Sequence, residues 1–158
     1  MTIEIPLTQG KIALIDEADW ELVKDHKWCA MHGHRTWYAK TSVRREGGKW
    51  YTLLMHRLLL GLTDRTVQVD HRDGDGLNNV RANLRACTPA ENRRNSGAYA
   101  TNTSGLKGVW FHSQAKKWRA TICLDGKIKH LGLFASKDEA FAAYQKAAIE
   151  LHGEFAHF

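Results

Sequence analysis

Disulfide chemistry has almost nothing to work with in this sequence. Its 158 residues include three cysteines, Cys29, Cys87 and Cys123. An odd number with no C-x-x-C pair argues against both a disulfide framework and a structural zinc knuckle. Proline occurs twice and glycine 13 times, so a wholly disordered chain is not expected. No apolar run approaches the ~18 residues of a membrane span. The opening segment, Met1 to Pro6, lacks the basic and apolar regions of a secretion signal, which predicts a cytoplasmic protein with no membrane partner. At roughly 100–200 residues per domain, the length allows one ordinary domain or two small ones.

What the chain does have is positive charge. Lysine and arginine number 23 against 17 acidic residues, a net charge of +6. Such a balance favours a polyanionic partner, and with no basic amphipathic helix carrying an aromatic face, nucleic acid leads. The surplus is concentrated late in the chain. Between residues 106 and 131 stand Lys107, Lys116, Lys117, Arg119, Lys127 and Lys129, with Asp125 as the single acid. Before that stretch, Ser96 to Gly105 is small and polar apart from Tyr99, and reads as a linker between two units.

The second unit has a clear period. Residues 108–112, 118–124 and 128–132 read as three short strands, with Asp125-Gly126 as a hairpin turn. Trp118, Ala120, Ile122 and Leu124 alternate with Arg119, Thr121 and Cys123, giving one apolar face and one largely polar face. Ser136 and Glu139 form a capping box for a helix that Gly153 ends. The first unit is less regular, with strands expected at 11–15, 37–43 and 50–55, a Gly47-Gly48 turn, and a short helix within 16–25. Trp20, Trp28, Trp37, Trp50 and Trp118 are expected in cores, as large aromatics usually are.

Candidate chemistry concentrates between Val69 and Asn92. A calcium loop built on Gly76 would require His71 as first ligand and Ala82 as twelfth, and neither fits. There remains an Asp70-His71 pair ending a strand, a glycine-rich turn, and then Asn83 and Asn92. Aspartate and asparagine oxygens suit a hard cation such as Mg²⁺ or Mn²⁺, and a neutral imidazole beside it can deprotonate a water. On spacing alone the same residues also suit turn and cap roles.

The string VDHRDGDGLNNVRANLRACTPAENRRN resembles the HNH nuclease motif of phage-type homing endonucleases, in the His-Asn-Asn subfamily. With the upstream IPLTQGKIALIDEADWELVKDHKW and LLMHRLLLG, the likeness spans about residues 5–95. It implies His71 as general base, Asp70 and Asn92 on one divalent metal, and Asn83 as the residue that pins the finger and orients the base, with Asn79 as the lesser alternative. His56 falls in that family's His-Arg element and is read as structural. Arg93 and Arg94, beside the expected metal site, are read as phosphate contacts. From residue 104 to 155, the segments GVWF, KWRA, HLGLF and EAFAAYQKAAI look like the Apetala-two (ethylene-response-factor) DNA-binding domain. That likeness places Lys107, Trp110, His112, Arg119, Thr121 and His130 on the DNA side, and Lys116 and Lys117 sit in a turn suited to phosphates. Trp110, Cys123 and Ile128 replace arginines of the plant pattern.

The expectation is therefore an α+β chain. A ββα-metal (HNH) finger with a β-rich N-terminal extension fills 1–95, a linker runs over 96–103, and a three-stranded antiparallel sheet on one helix fills 104–158. The expected function is site-selective, metal-dependent DNA endonuclease, a phosphodiester hydrolase acting as a monomer on double-stranded DNA and encoded by a phage or mobile element. The rival is a non-enzymatic DNA-binding regulator on an inactive HNH scaffold.

Overall fold

The computed structural model describes residues 1–44, 47–95, 97 and 101–158. They form a mixed α+β structure of small antiparallel sheets and few helices, divided into two compact units, Met1–Pro89 and Ala90–Phe158. No helix among these residues is long and apolar enough to cross a membrane.

In the first unit, β1 (Thr2–Pro6) pairs with β2 (Ile12–Asp16), setting Ile5 opposite Ala13. A 3-10 turn over Glu17–Asp19 leads into the four-residue α1 (Trp20–Val23). The helix expected within 16–25 stays this short because only Asp19 and Val23 of its residues are buried. Next come β3 (Cys29–His32), β4 (Trp37–Arg44) and β5 (Trp50–Leu54), an antiparallel sheet in the order β3-β4-β5. The third strand stops one residue short of expectation. Met55 instead opens α2 (Met55–Leu59), where Met55 and Leu59, one turn apart, both enter the core. Gly47 and Gly48 both take positive φ, as their turn requires; Arg45 and Glu46 beside them lie outside the described residues.

β6 (Gln68–His71) and β7 (Leu84–Cys87) then form a two-stranded hairpin. Ile5, Ala13, Ile15, Val23, Trp28, Ala39, Met55, Leu59 and Leu84 make the core of this unit, drawing every sheet onto one apolar cluster. Trp28 is buried as expected. Trp20 and Trp50 are not: they stand 42% and 68% exposed, Trp50 at the start of a strand that ends its sheet. α3 (Pro89–Asn95) begins where the first unit ends.

The second unit has the expected sheet and helix. β8 (Val109–His112), β9 (Lys117–Leu124) and β10 (Lys127–Phe134) run antiparallel in the order β10-β9-β8. Ala120 and Ile122 pack with Val109 against Ala140, Tyr144, Ala147 and Ala148 of α4 (Lys137–His152), with Trp118 beside them. Ser136 and Glu139 complete the capping box. The hairpin turn holds Asp125 at φ 48 and Gly126 at φ 78, both positive as a type I′ turn demands. β10 extends beyond Gly132 because a register shift between His130 and Gly132 returns Phe134 opposite Trp118.

The segment ahead of β8 is tied down by side-chain hydrogen bonds. Ser104 is buried, and its hydroxyl donates to the Val109 carbonyl at 2.6 Å, with the Leu106 carbonyl 3.0 Å away. Asn102 Oδ1 accepts from the Ser104 and Gly105 amides. These side-chain bonds build a turn that leads into β8; Ser96 and 98–100 lie outside the described residues.

Candidate functional site

Asp70 and His71 end β6, and both are buried. The hairpin register sets Asp70 directly opposite Arg85. Arg85 Nε and Nη2 each donate to Asp70 Oδ2 at 2.6 Å, within a pair less than a tenth exposed. Burying such a carboxylate alone would be costly, and the guanidinium offsets its charge. Sequence reasoning missed Arg85; the signal was an acid and a base placed to pair across a hairpin.

After His71 the chain makes a tight turn, with Gly74 at φ 78 donating its amide to the His71 carbonyl at 2.9 Å. Asn83 closes that turn. Its Oδ1 accepts from the Asp73 amide, and its Nδ2 donates to Asp73 Oδ1 at 2.9 Å and to the Asn78 carbonyl at 2.8 Å. Asn83 is thus placed to pin the finger, and none of these bonds reaches the imidazole. The asparagine that does is Asn79, fully buried, with Oδ1 3.4 Å from His71 Nε2.

Asn79 is held from two sides. Its amide donates to the Leu14 carbonyl on β2 at 2.8 Å, and the Leu14 amide donates to the Leu77 carbonyl at 2.9 Å. Its Nδ2 donates to the Leu77 carbonyl at 3.0 Å. With that nitrogen committed, the end facing His71 is a carbonyl oxygen, which only accepts. That oxygen favours the tautomer with the imidazole proton on Nε2 and the basic lone pair on Nδ1.

Two more rings complete the surroundings. His56 on α2 lies edge-on to His71 at 5.2 Å and to Tyr38 at 5.5 Å, and His56 Nδ1 is buried without a hydrogen-bond partner among the described residues. Burial first, then the neighbouring His71 and Arg57, holds the His56 imidazole down at about 3. Burial also lowers His71, against the raising effects of the Asn79 bond and the Asp73, Asp70 and Asp75 carboxylates. Both imidazoles are neutral at neutral pH. Tyr38 is pushed up, by burial and then by the Asp70 charge. Gly76 explains how β4 comes so close: a Cβ there would stand 2.4 Å from the Trp37 carbonyl and 2.6 Å from the Tyr38 ring.

The donor chemistry fits a hard divalent cation in sparse form. Among the described residues no three His, Cys, Asp or Glu side chains converge as a metal cage. Mg²⁺ commonly takes one or two protein oxygens and completes its shell with water and phosphate. Asp70 is a carboxylate, the donor type such a cation takes, and Arg85 is bonded to its Oδ2. Asn92, the second expected ligand, lies on α3 with Arg93 and Arg94.

In the second unit, strand pairing settles which residues share the face opposite α4. Trp110 stands across from Arg119, His112 from Lys117, Thr121 from His130, and Cys123 from Ile128. Lys116, Lys117 and His130 are exposed. Several other expected DNA contacts are engaged within the protein. Thr121 is buried at 5% exposure, which corrects its placement on an open DNA surface. Lys107 Nζ donates to the Arg94 carbonyl, and Arg94 Nη2 pairs with Asp125 at 2.9 Å. His112 Nδ1 accepts from the Ala115 amide. A recess of about 530 Å³ opens beside this face, lined in part by Arg93, Arg94, Trp110, Cys123 and Ile128.

Comparison with known proteins gives a consistent picture. The profile of the HNH endonuclease family matches residues 55–94. The chain is 40% identical over 92 residues to protein 3.8 of Escherichia phage T7, covering 57% of this chain and 74% of that protein. It is 29% identical over 151 residues to an uncharacterized HNH endonuclease, L560, of Acanthamoeba polyphaga mimivirus, covering 94% of this chain and 74% of the relative. Over 63 residues it is 38% identical to the AP2-like ethylene-responsive transcription factor AIL7 of Arabidopsis thaliana, 39% of this chain but 13% of that factor. No solved structure matches.

Proposed function

We propose that this chain, whose residues 55–94 match the HNH endonuclease family and which is similar to phage T7 protein 3.8, is a metal-dependent endonuclease acting on double-stranded DNA. The observation that carries the reading is His71, a buried neutral imidazole whose Nε2 faces the locked carbonyl oxygen of Asn79. In this reading His71 Nδ1 accepts a proton from water as the water oxygen bonds phosphorus. The in-line P–O bond breaks, and the leaving oxygen takes a proton from solvent. Asn79 positions the base, and Asn83 holds the turn that carries it. Asp70 and Asn92, both inside the matched segment 55–94, would hold one Mg²⁺ or Mn²⁺, which when bound stabilises negative charge on the phosphate.

The second unit supplies site selection, with Trp110, Arg119 and His130 toward the bases and Lys116 and Lys117 toward phosphates. The partial likeness to plant AP2-like factors supports this division. One observation favours a second reading. Asp70 is already neutralised by Arg85, as it would be in a DNA-binding protein that no longer cuts.

Incubating supercoiled plasmid with the protein, with Mg²⁺ or Mn²⁺ and with chelator, separates the two. Nicked or linear product that needs the cation supports the nuclease. His71→Ala should lose about 10²–10⁴-fold in rate. Unchanged cutting by His71→Ala would refute the assigned base.

A further inference from the structure

The face of β8–β10 opposite α4 is not a uniformly polar surface. Four apolar or weakly polar side chains emerge on it beside Arg119 and His130. Trp110 is 38% exposed, Leu133 43% and Ile128 65%, and Cys123 is exposed next to Ile128. The register makes them neighbours: Leu133 and Trp110 both stand across from Arg119, and Cys123 stands across from Ile128. Exposed apolar groups cost solvation unless a partner covers them.

The surrounding charge selects the partner. Lys116, Lys117, Lys127 and Lys129 are exposed around this sheet, and the one acid in the hairpin turn, Asp125, is held by Arg94. A second copy of the chain would bring like charges together, whereas a DNA groove presents phosphates to the lysines. In the major groove the base edges differ in what they offer. Guanine shows acceptors and cytosine a donor, and neither gains from isoleucine or cysteine. Only thymine shows a methyl group.

We infer that this sheet reads thymine, through the C5-methyl groups contacted by Ile128, Cys123, Trp110 and Leu133. The inference rests on the DNA-binding reading of the second unit and narrows it. Among the described residues of the three strands, Arg119 supplies the one guanidinium on this face, so the preferred site is thymine-rich with a guanine within reach of Arg119.

The test removes the methyl group and nothing else. Full-length protein, in chelator so that no cutting occurs, is titrated at several salt concentrations with poly(dA-dT) and with poly(dA-dU). Each methyl covered should contribute roughly three- to fivefold, so two contacts give roughly a nine- to twenty-five-fold preference for the thymine polymer. Ile128→Ala, at an exposed position that does not threaten folding, should cut that ratio by about three- to fivefold. Lys116→Ala should lower affinity for both polymers alike and leave the ratio intact.

Equal binding of both polymers would overturn the methyl reading while leaving DNA binding in place. Failure to bind either polymer at low salt would overturn both readings. If sedimentation showed a dimer that Ile128→Ala dissociates with no change in the ratio, the apolar groups serve self-association and the inference is wrong.

Discussion

His56 shows at the scale of one residue how burial is written into pH dependence. In the fold its imidazole titrates at about 3, with the His71 ring and Arg57 as the nearby groups that lower it after burial. In the unfolded chain it titrates near the ordinary ~6.5. Between those values the unfolded state binds a proton that the folded state refuses. Its contribution to stability is therefore complete above ~6.5 and is lost as pH falls from there toward about 3, by up to roughly 1.4 kcal/mol per pH unit. Urea unfolding at pH 7.5 and 4.5 should show this slope, and His56→Phe should flatten it. An equal slope in that variant would mean that other groups carry the effect. Asn79→Ala, by freeing the His71 tautomer, should reduce cleavage about 10–100-fold. Asn79→Asp keeps an acceptor toward Nε2 and should recover much of the rate; if it does not, the bond to the imidazole is not what matters. The sequence makes the Asp70-His71 pair and the set of asparagines conspicuous. It does not say which asparagine meets the ring, because that depends on the Leu14 contact of Asn79, made by a strand more than sixty residues earlier.

Elements were legible wherever the period was local. The alternation along β9 correctly separated Ala120 and Ile122 from Arg119 and Thr121, and Ser136 with Glu139 marked the start of α4. What local pattern could not show was competition between elements. Met55 continues the strand pattern but enters the core as part of α2. Trp50 looks like core yet starts a strand at the end of its sheet. Thr121 belongs to the polar parity and is still covered. Two predictions belong here. Ser136→Ala should cost about 1 kcal/mol by leaving helix-end amides without the capping hydroxyl, measurable by chemical denaturation. Gly76→Ala should be far more harmful to activity than Gly74→Ala. Its Cβ would meet backbone and the Tyr38 ring, whereas the space around Gly74 is open and only its positive φ resists. Equal losses in the two variants would count against the close approach of β4 as the reason for Gly76.

On the scale of the molecule, the two units have separate apolar clusters, one around Ile15 and Met55 and one around Val109 and Tyr144. Damage to one core should therefore stay local. Met55→Ala is expected to cost about 2–5 kcal/mol in the transition that also abolishes cleavage, and to leave far-ultraviolet signals of the second unit unfolding at their usual denaturant concentration. Tyr144→Ala should do the reverse, lowering DNA affinity before cleavage chemistry. A single shared transition, shifted equally by both substitutions, would contradict the separation. The brace between Leu14 and Asn79 also has a consequence in time. A contact between segments so far apart in the chain closes a large loop, and such contacts form late in folding because their entropy cost comes before their reward. The N-terminal hairpin leaves the ribosome long before the turn that it will clasp. A partly made chain thus carries His71 without the partner that fixes its proton, and pulse-labelled hydrogen exchange should find the Asn79 amide among the last protected. For the proposed nuclease, competence would then arrive only with the completed fold.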